Sequence, residues 1–167
     1  PHHLALTDEA VTSFDTNTKM NPPLRSESDR LALIAAVRDG TIDAIATDHA
    51  PHHADEKMLE YDRAPFGVIG LETALGVILK VLHYESGIPL TRIIEMLTIL
   101  PARAFSLPGG TLAAGAPADV TVFDPEREWT VDPNRFQSKS RNTPFAGWQL
   151  RGAVVATFVG GRRVYGG

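Results

Sequence analysis

The stretch TIDAIATDHAPHH, residues 41–53, is the most informative part of this chain. Its first residues are mostly apolar, which predicts a buried β-strand over 42–46. Asp48 and three histidines follow directly after that strand. In an α/β barrel, catalytic groups lie at this end of the strands, and an aspartate there can bind a metal, act as a general base, or do both. The alternative is that Asp48 caps the next turn and that the histidines lie on a loop surface.

The residues before this strand predict a helix that leads into it. Ser26-Glu27-Ser28-Asp29 is typical of a capping box, and Gly40 stands where a helix commonly ends. A helix followed by a strand is the repeating unit of a β/α barrel, so the pattern indicates the α/β class. Residues 1–24 contain two prolines and no periodicity, and we expect them to form a loop.

The residues after the strand predict a long loop and then more helices. The loop over 48–66 is charged and long, which in a compact domain is typical of functional or mobile segments. Gly67 follows it and lacks a side chain, so its backbone could approach a ligand. Helices are predicted over 70–84 and 91–100, and a further short helix begins at Pro101.

The last third of the chain has a β character. Short runs of β-branched and aromatic residues predict strands over 118–123, 153–159 and 162–165. Gly160-Gly161 lies between the last two runs, which is typical of a tight hairpin turn.

Composition excludes several classes of function. The net charge of −4 without a clustered basic face argues against a nucleic-acid partner. The chain has no cysteine, which excludes disulfides and thiolate metal sites and suits a reducing compartment such as the cytoplasm. The sequence contains no apolar run long enough to span a membrane, and it begins without the charged-then-apolar pattern of a secretory leader.

Several short motifs occur together in an informative order. They are Pro-His-His-Leu at 1–4, Asn-Pro-Pro-Leu-Arg at 21–25, Thr-Asp-His-Ala-Pro-His at 47–52, Pro-Phe-Gly at 65–67 and Gly-Leu-Glu-Thr at 70–73. As a set, they resemble the dihydroorotase branch of the amidohydrolase superfamily, in the type found in many bacteria. Related hydantoinases and allantoinases usually carry another residue before their Pro-Pro pair, so Asn21 favours dihydroorotase.

The resemblance covers only the C-terminal portion of that family. Dihydroorotases begin with a zinc-binding His-x-His strand, which this sequence lacks, and a complete barrel needs about 250 residues. The resemblance therefore implies that residues 1–106 form the C-terminal part of a TIM (β/α)8 barrel. Residues 107–167 would then form part of a small β-sandwich domain, whose other strands belong to the N-terminal portion.

The resemblance also implies roles for individual residues. Asp48 matches an aspartate that binds the metal and exchanges a proton with the substrate. His52 matches a histidine that hydrogen-bonds the substrate carboxylate, and Asn21 matches an asparagine that contacts the substrate. The segment of Pro65, Phe66 and Gly67 would also help to hold the substrate.

The implied reaction is the reversible hydrolysis of L-dihydroorotate to N-carbamoyl-L-aspartate in pyrimidine biosynthesis, by metal-bound hydroxide with Asp48 moving the proton. One or two zinc ions are implied, with the remaining ligands outside this chain, so the chain alone should be inactive. The implied partners are the N-terminal half of the enzyme, further copies of the chain, and aspartate transcarbamoylase. Two alternatives remain, namely a related cyclic amidase and a non-catalytic scaffold for aspartate transcarbamoylase.

For other polar residues near these motifs, a structural role is weighed against a functional one. His49 and His53 could orient Asp48 or lie on the loop surface. His2 and His3 are interpreted as structural and not as metal ligands. Arg25 is expected to donate to nearby carbonyls and not to grip a substrate.

Overall fold

The computed structural model describes residues 1–166, and both helices and strands form there, in agreement with the predicted α/β class. The α-helices are α1 (His2–Ala5), α2 (Glu27–Asp39), α3 (Ala54–Lys57), α4 (Ala74–Ile78), α5 (Leu90–Leu97) and α6 (Ile99–Ala104). The 3₁₀ segments are Asp8–Ser13, Thr16–Thr18 and Pro133–Arg135, and α4 continues as a π-helical segment over Leu79–Glu85. The strands are β1 (Val120–Thr130), β2 (Gln149–Val159) and β3 (Arg162–Tyr165).

The prediction for α2 is confirmed at both ends. The Ser26 hydroxyl accepts the Asp29 backbone N–H at 3.3 Å, and the Asp29 carboxylate accepts the Ser26 backbone N–H at 3.3 Å. Both halves of the capping box are therefore present. Gly40 ends the helix in the left-handed region, with φ of 87°.

The predicted strand over 42–46 is wrong, because these residues form no strand ladder. Within residues 1–166, no backbone N–H between 43 and 47 donates a hydrogen bond to another residue. A strand exists only when a neighbouring strand accepts and donates along it, and the described chain places no such neighbour here. Ile42 and Ile45 instead lie half-buried against the main core cluster, and the Arg92 guanidinium donates to the Ile42 carbonyl at 3.3 Å.

The loop predicted for residues 1–24 is partly wrong, since α1 and two 3₁₀ segments form there. The residues that break a long periodic pattern here begin short helical turns instead. Asp15 shows this, because its carboxylate accepts the Asn17 backbone N–H at 2.9 Å at the start of the second turn.

The predicted helix over 70–84 is confirmed in position but begins later, at Ala74, and its last turns are π-helical. The helix predicted over 91–100 is interrupted at Thr98, whose φ and ψ of −132° and −88° are not helical. Pro101 lies inside the next helix, α6, and not at its first position. These differences concern boundaries, which depend on local backbone geometry more than on apolar periodicity.

The three predicted strands are confirmed and form one antiparallel sheet in the order β1-β2-β3. Gly160 and Gly161 make the predicted turn between β2 and β3, with φ of 55° and 77°. β1 and β2 are each 11 residues long, with irregularities in their pairing that include residues 124–128 of β1.

One apolar cluster joins the helices to one another, and a second joins them to the sheet. The first lies among α2, α4 with its π-helical continuation, and α5. The second joins the same helix to the sheet region and contains Ile69, Val77, Val131, Phe136, Phe145 and Leu150. Gly76 allows this packing, because a Cβ there would lie 2.9 Å from Leu150 Cδ1.

No helix formed by the described residues is long and apolar enough to cross a membrane.

Candidate active site

Backbone hydrogen bonds bring three segments with predicted site residues side by side. The Gly67 N–H donates to the Lys19 carbonyl at 2.8 Å, and the Ala50 N–H donates to the Val68 carbonyl at 2.9 Å. His49 and Val68 form a parallel bridge. Segments 19–21, 48–52 and 65–68 are therefore neighbours, although they are distant in sequence.

Asp48 lies at the exposed end of the segment that follows α2. Its φ of 49° is in the left-handed region, which aspartate tolerates better than most residues. Within residues 1–166, its carboxylate makes no hydrogen bond or ion pair, so it does not cap the next turn. The carboxylate is therefore available to a ligand.

His52 is held mainly through its backbone. Its N–H donates to the Asn142 side-chain oxygen at 3.3 Å, and its ring Nδ1 lies 3.7 Å from a Glu56 carboxylate oxygen. About a quarter of its side chain, 26%, is exposed. The imidazole is thus partly accessible on a backbone that is fixed.

The two other loop histidines stabilise local backbone. The His49 ring Nδ1 accepts the Gly70 N–H at 3.1 Å, which ties the loop to the start of the following turn. The His53 ring caps α3 by accepting the Asp55 N–H at 3.3 Å. Neither contact involves Asp48, so the sequence alternative of a loop-structural role fits their geometry better.

Asn21 is exposed and precedes a cis peptide bond to Pro22. Met20 and Leu24, on either side of Asn21, are buried against Val68. This packing holds the segment around Asn21 against segment 65–68. The carbonyl contacts expected of Arg25 are not found among the described residues, because its exposed guanidinium pairs with Asp29 at 3.4 Å. Asp29 lies four residues further on, in the first turn of α2, where its carboxylate is within reach of the Arg25 side chain.

The Pro65-Phe66-Gly67 segment combines an exposed ring with a buried glycine. The Phe66 side chain is about half exposed, and the Lys19 ammonium lies 4.8 Å from its ring centre. Gly67 has φ of 95°, and a Cβ there would lie 2.7 Å from the Ala50 Cβ. Both polar groups of the Gly67 backbone already bond to other parts of the chain. Contact of this segment with a substrate stays a prediction.

Lys57 is a buried residue that the sequence reasoning missed. Its ammonium donates to the carbonyls of Thr16 at 2.7 Å, Pro65 at 3.0 Å and Gly67 at 3.2 Å. Burial lowers the pKa of this lysine from its usual value. A lysine in a charged loop gives no sequence signal of burial, so the pattern could not have identified it.

Asn142 is a second buried polar residue whose contacts were not predicted. Its side-chain amide donates to the carbonyls of Ala50 at 2.9 Å and Gly67 at 3.2 Å. Its backbone carbonyl accepts the Ile69 N–H at 2.9 Å. The Asn-Thr-Pro-Phe motif at 142–145 was the available signal, but from sequence it is typical of turn chemistry.

Burial is the main cause that lowers the pKa of both His2 and His3, and the negative charge of Asp48 opposes that shift. Burial lowers the pKa of His2 to about 4, so its ring is neutral at physiological pH. The two rings are 4.5 Å apart. Across residues 1–166, no group of three or more histidine, cysteine or carboxylate side chains could hold a metal ion.

Comparison with known proteins shows the family of this chain. The amidohydrolase family model matches residues 3–164. A dihydroorotase from Brevibacillus brevis is 55% identical over 166 residues, and one from Syntrophotalea carbinolica is 53% identical over 165. Both alignments cover 99% of this chain but only 39% of the relative, so the chain spans about two fifths of their length.

Solved structures of hydantoinases have the same fold. The L-hydantoinase (dihydropyrimidinase) from Arthrobacter aurescens superposes with a TM-score of 0.90 at 30% identity. A D-hydantoinase (dihydropyrimidinase) from Thermus sp. gives a TM-score of 0.90 at 22% identity, which supports the fold alone. This chain covers 38% of each.

Proposed function

This chain belongs to the amidohydrolase family, and on that premise we propose that it is the C-terminal portion of a dihydroorotase. The reaction is the reversible hydrolysis of L-dihydroorotate to N-carbamoyl-L-aspartate in pyrimidine biosynthesis. The observation that carries the proposal is the identity of 50–55% to curated dihydroorotases across nearly the whole chain. Identity to the hydantoinases of the same fold is lower, at 22–30% for the two named above.

Asp48 is proposed to move the proton in this reaction. Its carboxylate is exposed and unpartnered in the described chain, so it can accept a proton from the attacking water and pass it to the departing amide nitrogen. Asn21 and His52 lie on the flanking segments and are proposed to bind the ring and its carboxylate. Phe66 and the adjoining residues Pro65 and Gly67 complete this side of the site.

Zinc fits this site only when residues outside this chain complete it. Asp48 supplies one oxygen ligand, and the described residues offer no further cluster. When bound, zinc would polarise the amide carbonyl and acidify a water molecule. We therefore propose that the chain alone is inactive and that the N-terminal half of the enzyme is its obligatory partner.

The division of the whole protein is also part of the proposal. Residues 1–106 would complete a TIM barrel, and residues 107–167 would complete a small β-sandwich. A chain without cysteine suits the cytoplasm. Homo-oligomers and a complex with aspartate transcarbamoylase are further proposed assemblies.

Replacing Asp48 in the full-length protein is the first test. We expect Asp48→Asn to lower kcat for dihydroorotate by at least about 10²- to 10⁴-fold, because the proton carrier is lost. Asp62→Asn is the matched control, since Asp62 is an exposed acid in the loop that follows Asp48. Near-normal turnover by the Asp48→Asn protein, or an equal loss in the control, would contradict the assigned role.

The hydantoinase alternative is tested on the same wild-type preparation. The similarity in fold to hydantoinases makes hydantoin and allantoin the competing substrates. We expect kcat/KM for dihydroorotate to exceed kcat/KM for hydantoin and for allantoin. Turnover of hydantoin or allantoin alone would favour the related cyclic amidase, and no turnover with stable binding of aspartate transcarbamoylase would favour the scaffold.

A further inference from the structure

We propose that Asn142 is a positioning residue that holds two segments of the site in fixed relation to each other. One segment carries Asp48 and His52, and the other carries Phe66 and Gly67. Asn142 lies about 90 residues further along the chain, in the part that forms the sheet. The inference deepens the proposed function and rests on it for the identity of the substrate.

The side-chain amide of Asn142 is bonded on both of its polar atoms. Its nitrogen donates to Ala50 O at 2.9 Å and to Gly67 O at 3.2 Å, and its oxygen accepts the His52 N–H at 3.3 Å. One planar group therefore joins both segments. The residue is only 5% exposed, so water cannot easily replace these bonds.

The backbone of Asn142 adds a further bond to the same region. Its carbonyl accepts the Ile69 N–H at 2.9 Å, directly after the Phe66-Gly67 segment. Phe145, three residues on, is 2% exposed and packs in the second apolar cluster. The asparagine is thus fixed to the core on one side and to the site on the other.

Only an amide satisfies all three side-chain contacts. An aspartate of the same shape has no N–H donor and would place negative charge against two carbonyl oxygens. Leucine of similar size would leave the His52 N–H and the Ala50 carbonyl without their present partner. The requirement is therefore chemical and not merely one of volume.

A role in positioning differs from a role in general stability. Lys57 also donates to the Gly67 carbonyl, at 3.2 Å, but its other side-chain bonds go to the carbonyls of Thr16 and Pro65. None of these carbonyls belongs to the segment that carries Asp48 and His52. Asn142 bonds the residues two and four positions after Asp48. Its loss should move His52 relative to Phe66, which affects how tightly substrate binds more than the proton transfer itself.

The experiment compares Asn142→Asp and Asn142→Gln with wild-type full-length protein. Asn142→Gln keeps the amide but displaces it by one methylene, so it remains informative when the aspartate variant does not fold. Asn134→Asp is the matched control, because Asn134 is exposed and its side chain donates to nearby Asp132, outside the candidate site. The measurements are KM and kcat for dihydroorotate, zinc content, and hydrogen exchange of residues 49–53.

We expect both Asn142 variants to lower kcat/KM by about 10- to 100-fold, mostly through KM, with zinc retained. Exchange at residues 49–53 should become faster, and Asn134→Asp should match wild type in every measurement. A folded Asn142→Gln protein with wild-type KM and wild-type exchange overturns the proposal. If wild type does not turn over dihydroorotate, the proposed function fails, and exchange at 49–53 still decides the role of Asn142.

Discussion

Strand β2 and segment 42–47, which contains the strand predicted over 42–46, have similar sequence patterns but different structures. Both are runs of apolar and β-branched residues that predict a strand. β2 pairs with β1 on one side and with β3 on the other, whereas 42–47 pairs with no strand in the described chain. The difference lies in the neighbours, because β1, β2 and β3 all lie within residues 120–165. Whether a segment forms a strand thus depends on a second segment that pairs with it, and the sequence of one segment alone does not predict that pairing.

The sharpest test of this comparison is hydrogen exchange on the 167-residue chain. The backbone amides of β2 should exchange only when the whole fold opens, whereas the amides of residues 43–47 should exchange almost as fast as in an unfolded chain. For a domain of ordinary stability, the two sets should differ by roughly 10³-fold or more.

The same measurement on the full-length protein is the control. There the proposed barrel supplies neighbours to 42–47, and protection of these amides should rise toward that of β2. Equal protection of both segments in the 167-residue chain would show that 42–47 forms a ladder without those neighbours.

A smaller effect is expected where β2 packs on the helix behind it. Gly152 has φ of 95°, and a Cβ there would lie 2.3 Å from Cδ1 of the buried Leu79. Gly152→Ala should lower the free energy of unfolding by about 2–5 kcal/mol, from backbone strain and overpacking together. Urea denaturation of both proteins measures the difference.

Gly115→Ala separates the two causes. Gly115 has φ of 87°, but a Cβ there would meet nothing within 4 Å. This variant should lose only the strain, about 1–2 kcal/mol. If both variants lose the same amount, the Leu79 side chain moves aside at little cost, and overpacking does not contribute to the effect of Gly152→Ala.

Local chemistry explains which parts of the fold could be predicted. The Ser26–Asp29 capping box and the Gly160-Gly161 turn are decided by residues within three positions of each other, and both are confirmed. The interruption at Thr98 and the turns before residue 19 depend on geometry that apolar periodicity does not describe. Segment 42–46 failed because its outcome depends on a partner strand.

The candidate site divides in the same way. Short motifs predict Asp48, His52 and Asn21 as site residues, and the structure places their segments side by side, while their roles stay predictions. Lys57 and Asn142 were missed, since their bonds reach residues 41 and 92 positions away. A buried lysine among charged residues looks like surface in the sequence, and only the assembled loops reveal the carbonyls that it satisfies.

The smallest effect concerns a single pair across β1 and β2. Glu128 lies directly opposite Arg151, whose guanidinium donates to its carboxylate at 3.1 Å. Both side chains are about half exposed or more, so the pair should contribute only about 0.5 kcal/mol. Because Arg151 also lies 5.3 Å from the Tyr84 ring centre, a double-mutant cycle with Glu128→Gln and Arg151→Gln is needed to isolate the coupling.

A second cycle, between Glu126 and Arg151, provides the reference for that pair. Glu126 approaches the same guanidinium only to 3.9 Å and is not its register partner, so its coupling should be weaker. Both couplings should fall at 1 M salt, where charges are screened within about 3 Å. If the two cycles give equal energies, the arginine senses only the local negative charge. A larger coupling energy for Glu128 would show that pairing in register strengthens the contact between two side chains. Segment 42–47 has no such register partner in the described chain.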